Sequence, residues 1–114
     1  MSNSPFDIRQ FETGATRDLD DDKLDYEGFL SPIVLRRFAE YMHEHRKTAA
    51  GLRDSDNWQK GIPLDVYMKS LTRHFIEMWL MHRGEEPLDY MDDTICAIMF
   101  NAMGYLHVWL KGSE

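Results

Sequence analysis

With 114 residues, 43% of them hydrophobic, and a net charge of −7, the chain suits one folded domain; its charge argues against a nucleic-acid duplex as partner. Its single cysteine, Cys96, rules out an internal disulfide and fits a reducing compartment. It contains no apolar run of roughly 18 residues and no continuous apolar core near its start, so the expectation is a cytoplasmic protein with no membrane partner.

Residues 1–28 are polar and acidic, densest in "RDLDDDKLDYEG", with no helical period and with glycine at Gly14 and Gly28. This stretch reads as an N-terminal arm, partly ordered because aromatic and aliphatic side chains are spaced through its charges. Residues 29–114 read as a single helical domain. Its first helix is "SPIVLRRFAEYMHEHRKTAAG", expected over about 31–49. Ser31 and Pro32 suit its start, Gly51 its end, and Val34, Leu35, Phe38, Tyr41, Met42 and His45 form its buried stripe. The loop "LRDSDNWQKGIP" follows, rich in turn formers but holding Trp58, a large aromatic that needs something to pack against.

The second helix is expected over about 63–83, ending at Gly84, with a stripe of Leu64, Met68, Leu71, Phe75, Met78, Trp79 and His82. Ile76 and Leu80 add a second apolar side. The third is expected over about 87–111 and is apolar nearly all round from Met91 to Leu110, the pattern of a central helix. No strand-like alternation of useful length is visible. The fold class is therefore all-α, and three helices are too few to bury so apolar a third one. A homodimer or tetramer with a shared bundle is expected.

Within this apolar frame stand several polar groups. The short "GEEP" connection makes the second and third helices antiparallel neighbours. Reflection about residue 85 then sets Glu77 level with Asp93, facing carboxylates able to hold Mg²⁺ against a substrate phosphate. Ala97, Asn101 and Gly104 continue the Asp93 face, and the Asn101 amide requires a partner wherever it is buried. The plain alternatives are an Arg73–Glu77 surface pair, His74 as a core histidine, and Asp92 and Asp93 as macrodipole partners of the helix start. "HEH" at 43–45 has metal-ligand chemistry, but neighbouring helical positions diverge, and a surface patch is the simpler reading. Cys96 has no activating neighbour in sequence and reads as a small buried residue.

Three motifs carry a family resemblance: "SDNWQKG", "RHFIEMW" closing on "RGEE", and "ICAIMFNAMGYLH". Over roughly residues 11–111 the chain resembles the mostly phage-encoded dATP/dGTP diphosphohydrolase N-terminal domain family, similar to the all-α MazG-like nucleotide pyrophosphohydrolases. The resemblance implies Mg²⁺-dependent hydrolysis of a purine (deoxy)nucleoside triphosphate to monophosphate and pyrophosphate, by an oligomer. The alternative is a phage accessory protein of the same fold that binds a nucleotide or a host protein, in the host cytoplasm. Asn57, Trp58, Lys60, Arg73 and Asn101 would then bind substrate. His74 carries over from the same motifs as a catalytic residue and Glu85 as a metal ligand; Glu77 and Asp93, set level by the hairpin rather than by the motifs, would join them in catalysis and in holding the metal. The chain departs from such enzymes in its acids: Arg36 and Arg37 stand where relatives often carry carboxylates, and Glu40 and Glu44 are spaced by four rather than three.

Overall fold

The computed structural model describes residues 8–18 and 22–112 and divides the chain into two compact units, 1–31 and 32–114. The described parts of the first unit are a hairpin and one helical turn. Strands β1 (Ile8–Gln10) and β2 (Thr16–Asp18) pair antiparallel, with Arg9 opposite Arg17. Gly14, at φ +88, turns the chain between them, and its N–H donates to the Phe11 carbonyl at 2.9 Å. The turn α1 (Tyr26–Phe29) is capped by Asp25, whose carboxylate accepts from the Gly28 N–H at 2.8 Å. Residues 19–21, within the acidic stretch, lie outside the described residues.

The second unit holds three main helices, and about 64% of the described residues are helical. The first, α2 (Pro32–Glu44), begins at proline as expected but stops five residues short of its expected end. Beyond it the chain reverses through the hairpin β3 (Lys47–Thr48) and β4 (Gly51–Leu52). Side chains compete successfully with helix here: the Thr48 hydroxyl donates to the Gly51 carbonyl at 2.6 Å and accepts from the Ala50 N–H at 3.2 Å. Gly51 supplies φ +117. The two short hairpins correct the expectation of a chain without strands, although neither contributes a layer.

A 3-10 turn at Asn57–Lys60 leads into α3 (Leu64–His82), which matches its expected span closely. Gly84, at φ +76, ends it as expected; its N–H donates to the Met81 carbonyl at 3.1 Å, and the Glu85 N–H reaches Leu80 at 2.9 Å. The expected third helix divides into a 3-10 turn (Leu88–Tyr90) and α4 (Met91–Gly112). Asp92 and Asp93 sit in its first turn, where the macrodipole favours them.

The core lies chiefly between α3 and α4, with α4 also touching α2 over a shorter stretch. The face that α4 buries is one of small side chains: Thr94, Ala97, Asn101 and Gly104, with Cys96 beside them. On α3 the fully buried residues are Tyr67 and Met81, neither of which belongs to the expected stripe. Tyr67 is 1% exposed and lies directly over Gly104, where any Cβ would overlap its ring. Phe100 meets the same ring edge-on, centroids 5.9 Å apart. The large apolar residues of these helices therefore point elsewhere: Trp79 is 45% exposed and Leu106 54%. On α2 no residue is fully buried, and Val34 and Leu35, expected in the buried stripe, are each 46% exposed. Among the described residues, no helix is long and apolar enough to cross a membrane.

Candidate functional site

The expected carboxylate pair takes separate partners. Asp93 accepts from Arg37 Nη2 of α2 at 2.5 Å, and Asp92 lies 3.8 Å from Arg37 Nε. Glu77 instead pairs within α3, its Oε2 3.1 Å from His74 Nδ1. A carboxylate only accepts, so His74 carries its proton on Nδ1. Glu85 lies elsewhere again, in a shallow cleft with Ile76, Trp79, Leu80 and Arg83. Among the described residues, no group of three or more His, Cys, Asp or Glu side chains could hold a metal ion. Mg²⁺ needs carboxylate oxygens directed at one point, and Glu77, Asp93 and Glu85 do not form such a donor set within this chain. A guanidinium, rather than a shared ion, meets the charge of Asp93. The hydrogen bond to Asp93 raises the Arg37 pKa above the ordinary arginine value.

The other expected site residues divide. Asn101 is 5% exposed and satisfies its amide within its own helix, Nδ2 donating to the Ala97 carbonyl at 2.7 Å. Its required partner exists and is structural. Arg73 and Lys60 are exposed and line neither of the two pockets described here. Cys96 is buried, and burial pushes its thiol up, away from the reactive thiolate.

Asn57 and Trp58 do come together with other groups, in a cavity of about 450 Å³. One wall comes from the end of α2, with Ala39, Tyr41, Met42 and His43, and from His45 just beyond it; another comes from Arg46, Arg53 and Asp54 at the base of the β3–β4 hairpin. The 3-10 turn contributes Asn57 and Trp58, and α4 contributes Phe100. Trp58 is fixed edge-on against Phe100 at 6.3 Å and His107 at 4.9 Å, which is how a large aromatic on a polar loop finds its packing. Across α2, the Tyr41 and His45 rings lie 4.0 Å apart at 32°. His45 Nδ1 lies 2.9 Å from the Tyr41 carbonyl, which only accepts, so this nitrogen is the donor. Burial pushes the Tyr41 phenol up, with the Asp93 charge adding to it, so it is a neutral hydroxyl at physiological pH.

The charge of this lining is opposite to that of the chain. Two arginines and one aspartate leave one net positive charge with both histidines neutral, in a protein of net −7. Neither Arg46 nor Arg53 has a carboxylate partner among the described residues. Aromatic faces, cations and the polar side chains of Asp54, Ser55 and Asn57 suit a planar, anionic ligand bearing hydroxyl or amide groups.

Sequence reasoning reached Asn57 and Trp58 but not Arg46, Arg53 or Tyr41. It placed residues 45–49 on a helix, where Arg46 could not face Arg53. The signal that could have found them is the "HRKTAAGLRD" run, whose Thr, Gly and flanking arginines fit a hairpin equally well. Comparison with protein-family models, with curated proteins and with solved structures returns no match, so the resemblance stands on its three motifs alone.

Proposed function

We propose that this chain binds a nucleoside triphosphate in the cavity between α2, the β3–β4 hairpin and Trp58. The observation that carries the reading is the meeting of an aromatic wall with two arginines that have no carboxylate partner among the described residues. Base–aromatic contact and guanidinium–phosphate hydrogen bonds are the two interactions such a ligand requires. A volume of about 450 Å³ lies within the range of small-molecule sites. The family resemblance contributes the purine (deoxy)nucleoside triphosphate as the ligand class. It also implies Mg²⁺-dependent cleavage to monophosphate and pyrophosphate. The pairing of Asp93 with Arg37 and of Glu77 with His74 favours the binding reading over the hydrolytic one.

The same proposal takes the working unit as a homodimer or tetramer. It is supported by the apolar residues that the small-residue packing of α3 on α4 leaves outward: Phe75, Ile76, Trp79 and Leu80 on α3, and Met103, Leu106 and Leu110 on α4.

The test is thermal unfolding with a panel of deoxynucleoside triphosphates and Mg²⁺, with pyrophosphate assayed in the same samples. Ligand at a hundred times its dissociation constant adds about 2.7 kcal/mol of stability. For a domain of this size that raises the midpoint by on the order of 10 °C. The expected result is a shift of that order for at least one purine nucleotide, without pyrophosphate. Pyrophosphate release would replace the binding reading by the hydrolytic one, and no shift with any nucleotide would overturn both.

A further inference from the structure

The base of the β3–β4 hairpin brings two like charges together without a visible reason. Strand pairing sets Lys47 opposite Leu52 and Thr48 opposite Gly51, and one step outward Arg46 lies opposite Arg53. The Arg53 N–H donates to the Arg46 carbonyl at 2.8 Å, extending the ladder to this pair. Like charges directly opposite on paired strands are destabilising. Yet both guanidiniums are held in place: Arg46 Nε donates to the Arg53 carbonyl at 2.7 Å, and Arg53 Nη2 donates to the His45 carbonyl at 3.1 Å. The latter bond caps the chain just beyond the α2 C-terminus, a structural use that arginines commonly have. Each bond engages one of the five N–H donors of a guanidinium and leaves the others for a ligand. Both side chains line the cavity, together with His43 and His45.

We infer that Arg46 and Arg53 form a polyphosphate subsite at the hairpin base, taking the phosphate chain of the ligand while Trp58 and its aromatic neighbours take the base. The inference rests on the nucleotide reading for its ligand but on the arginine pair for its chemistry. A phosphate chain offers several acceptor oxygens to two fixed forks and cancels their repulsion. The subsite therefore binds inorganic tripolyphosphate alone, and discriminates triphosphate from nucleoside.

The experiment is calorimetric titration of the full chain, in metal-free buffer, with inorganic tripolyphosphate, 2′-deoxyadenosine and dATP. Wild type, Arg53→Gln and Arg46→Gln are compared, with circular dichroism checking that each variant is folded. Loss of charge-assisted hydrogen bonds is expected to weaken tripolyphosphate about tenfold to a hundredfold in both variants, and to leave 2′-deoxyadenosine within about twofold. A role in capping alone predicts lower thermal midpoints with unchanged tripolyphosphate affinity, and that result overturns the subsite. Should a variant fail to fold, the arginine Nε–H resonances of the wild type serve instead. Two of them shift on tripolyphosphate addition if the subsite exists; if none shifts, it does not. dATP binding that survives in Arg53→Gln, with no tripolyphosphate binding by wild type, removes the subsite and leaves the nucleotide reading standing. Tripolyphosphate binding without dATP binding does the reverse.

Discussion

Replacing Gly104 by alanine is expected to lower the stability of the protein by about 1–3 kcal/mol. At an unconstrained position inside a helix the same change would add roughly 1 kcal/mol, because glycine is the poorer helix former. The sign reverses because an added Cβ would fall 2.3 Å from two carbons of the Tyr67 ring and 2.6 Å from its hydroxyl oxygen. That ring has nowhere to go: Tyr67 is 1% exposed and flanked by Phe100. Urea unfolding at one fixed protein concentration, on Gly104→Ala, Tyr67→Leu and the double variant, isolates the term. The glycine substitution should cost little or nothing once the ring is gone. Tyr67→Phe is the control, since it keeps the ring and removes a hydroxyl with no hydrogen-bond partner among the described residues. It should leave stability unchanged or raise it, because an unsatisfied buried hydroxyl costs on the order of 1–3 kcal/mol. A Gly104→Ala protein as stable as the wild type would contradict this account of how α3 meets α4.

Leu80→Glu is expected to dissociate the proposed oligomer. Ile76, Trp79, Leu80 and Arg83 gather around one cleft on α3, a stripe at spacings of three and four with Arg83 stacked 5.3 Å over Trp79. Such a stripe, left outward on a helix whose inward face is already packed, fits a second copy of the chain. A carboxylate placed in the middle of that contact must be desolvated without a partner, at a cost of several kcal/mol, which amounts to a loss of more than a hundredfold in association. Sedimentation velocity over a range of concentrations checks both parts. The wild type should sediment as a multiple of 13.5 kDa and the variant as the single chain. A wild type that sediments as one chain at every concentration would remove the self-association proposal.

How much of this was legible in the sequence depends on what kind of signal each feature left. Helix ends written in Pro and Gly were readable: Pro32 opens α2, and Gly84 closes α3 with a positive φ. The overshoot of α2 came from "KTAAG", where alanines favour helix but a threonine hydroxyl and a left-handed glycine secure a hairpin instead. The packed face of α3 was not readable, because a helix apolar on every side offers several stripes of equal merit. What selects among them is the match of Tyr67 to Gly104 thirty-seven positions later, a tertiary fact. The small-residue face of α4 was partly visible through Ala97, Asn101 and Gly104, but Asp93 left that line for Arg37. The expected carboxylate pair took separate partners for the same reason. Reflection about a turn gives heights along a helix pair, and each carboxylate then takes the nearest N–H donor, from whichever helix offers one. The cavity was half legible. Trp58 announced itself as an aromatic out of place, whereas the arginines needed the hairpin that brings them opposite one another.

The central claim is that a nucleoside triphosphate enters the cavity beside Trp58. Its most direct test is the indole N–H spectrum of the uniformly labelled chain, which has three tryptophans, during titration with dATP. The Trp58 signal, identified by its loss in Trp58→Phe, should shift saturably, while that of Trp79, which lines the other cleft, stays in place. A Trp58 resonance that does not move at millimolar dATP would contradict the claim.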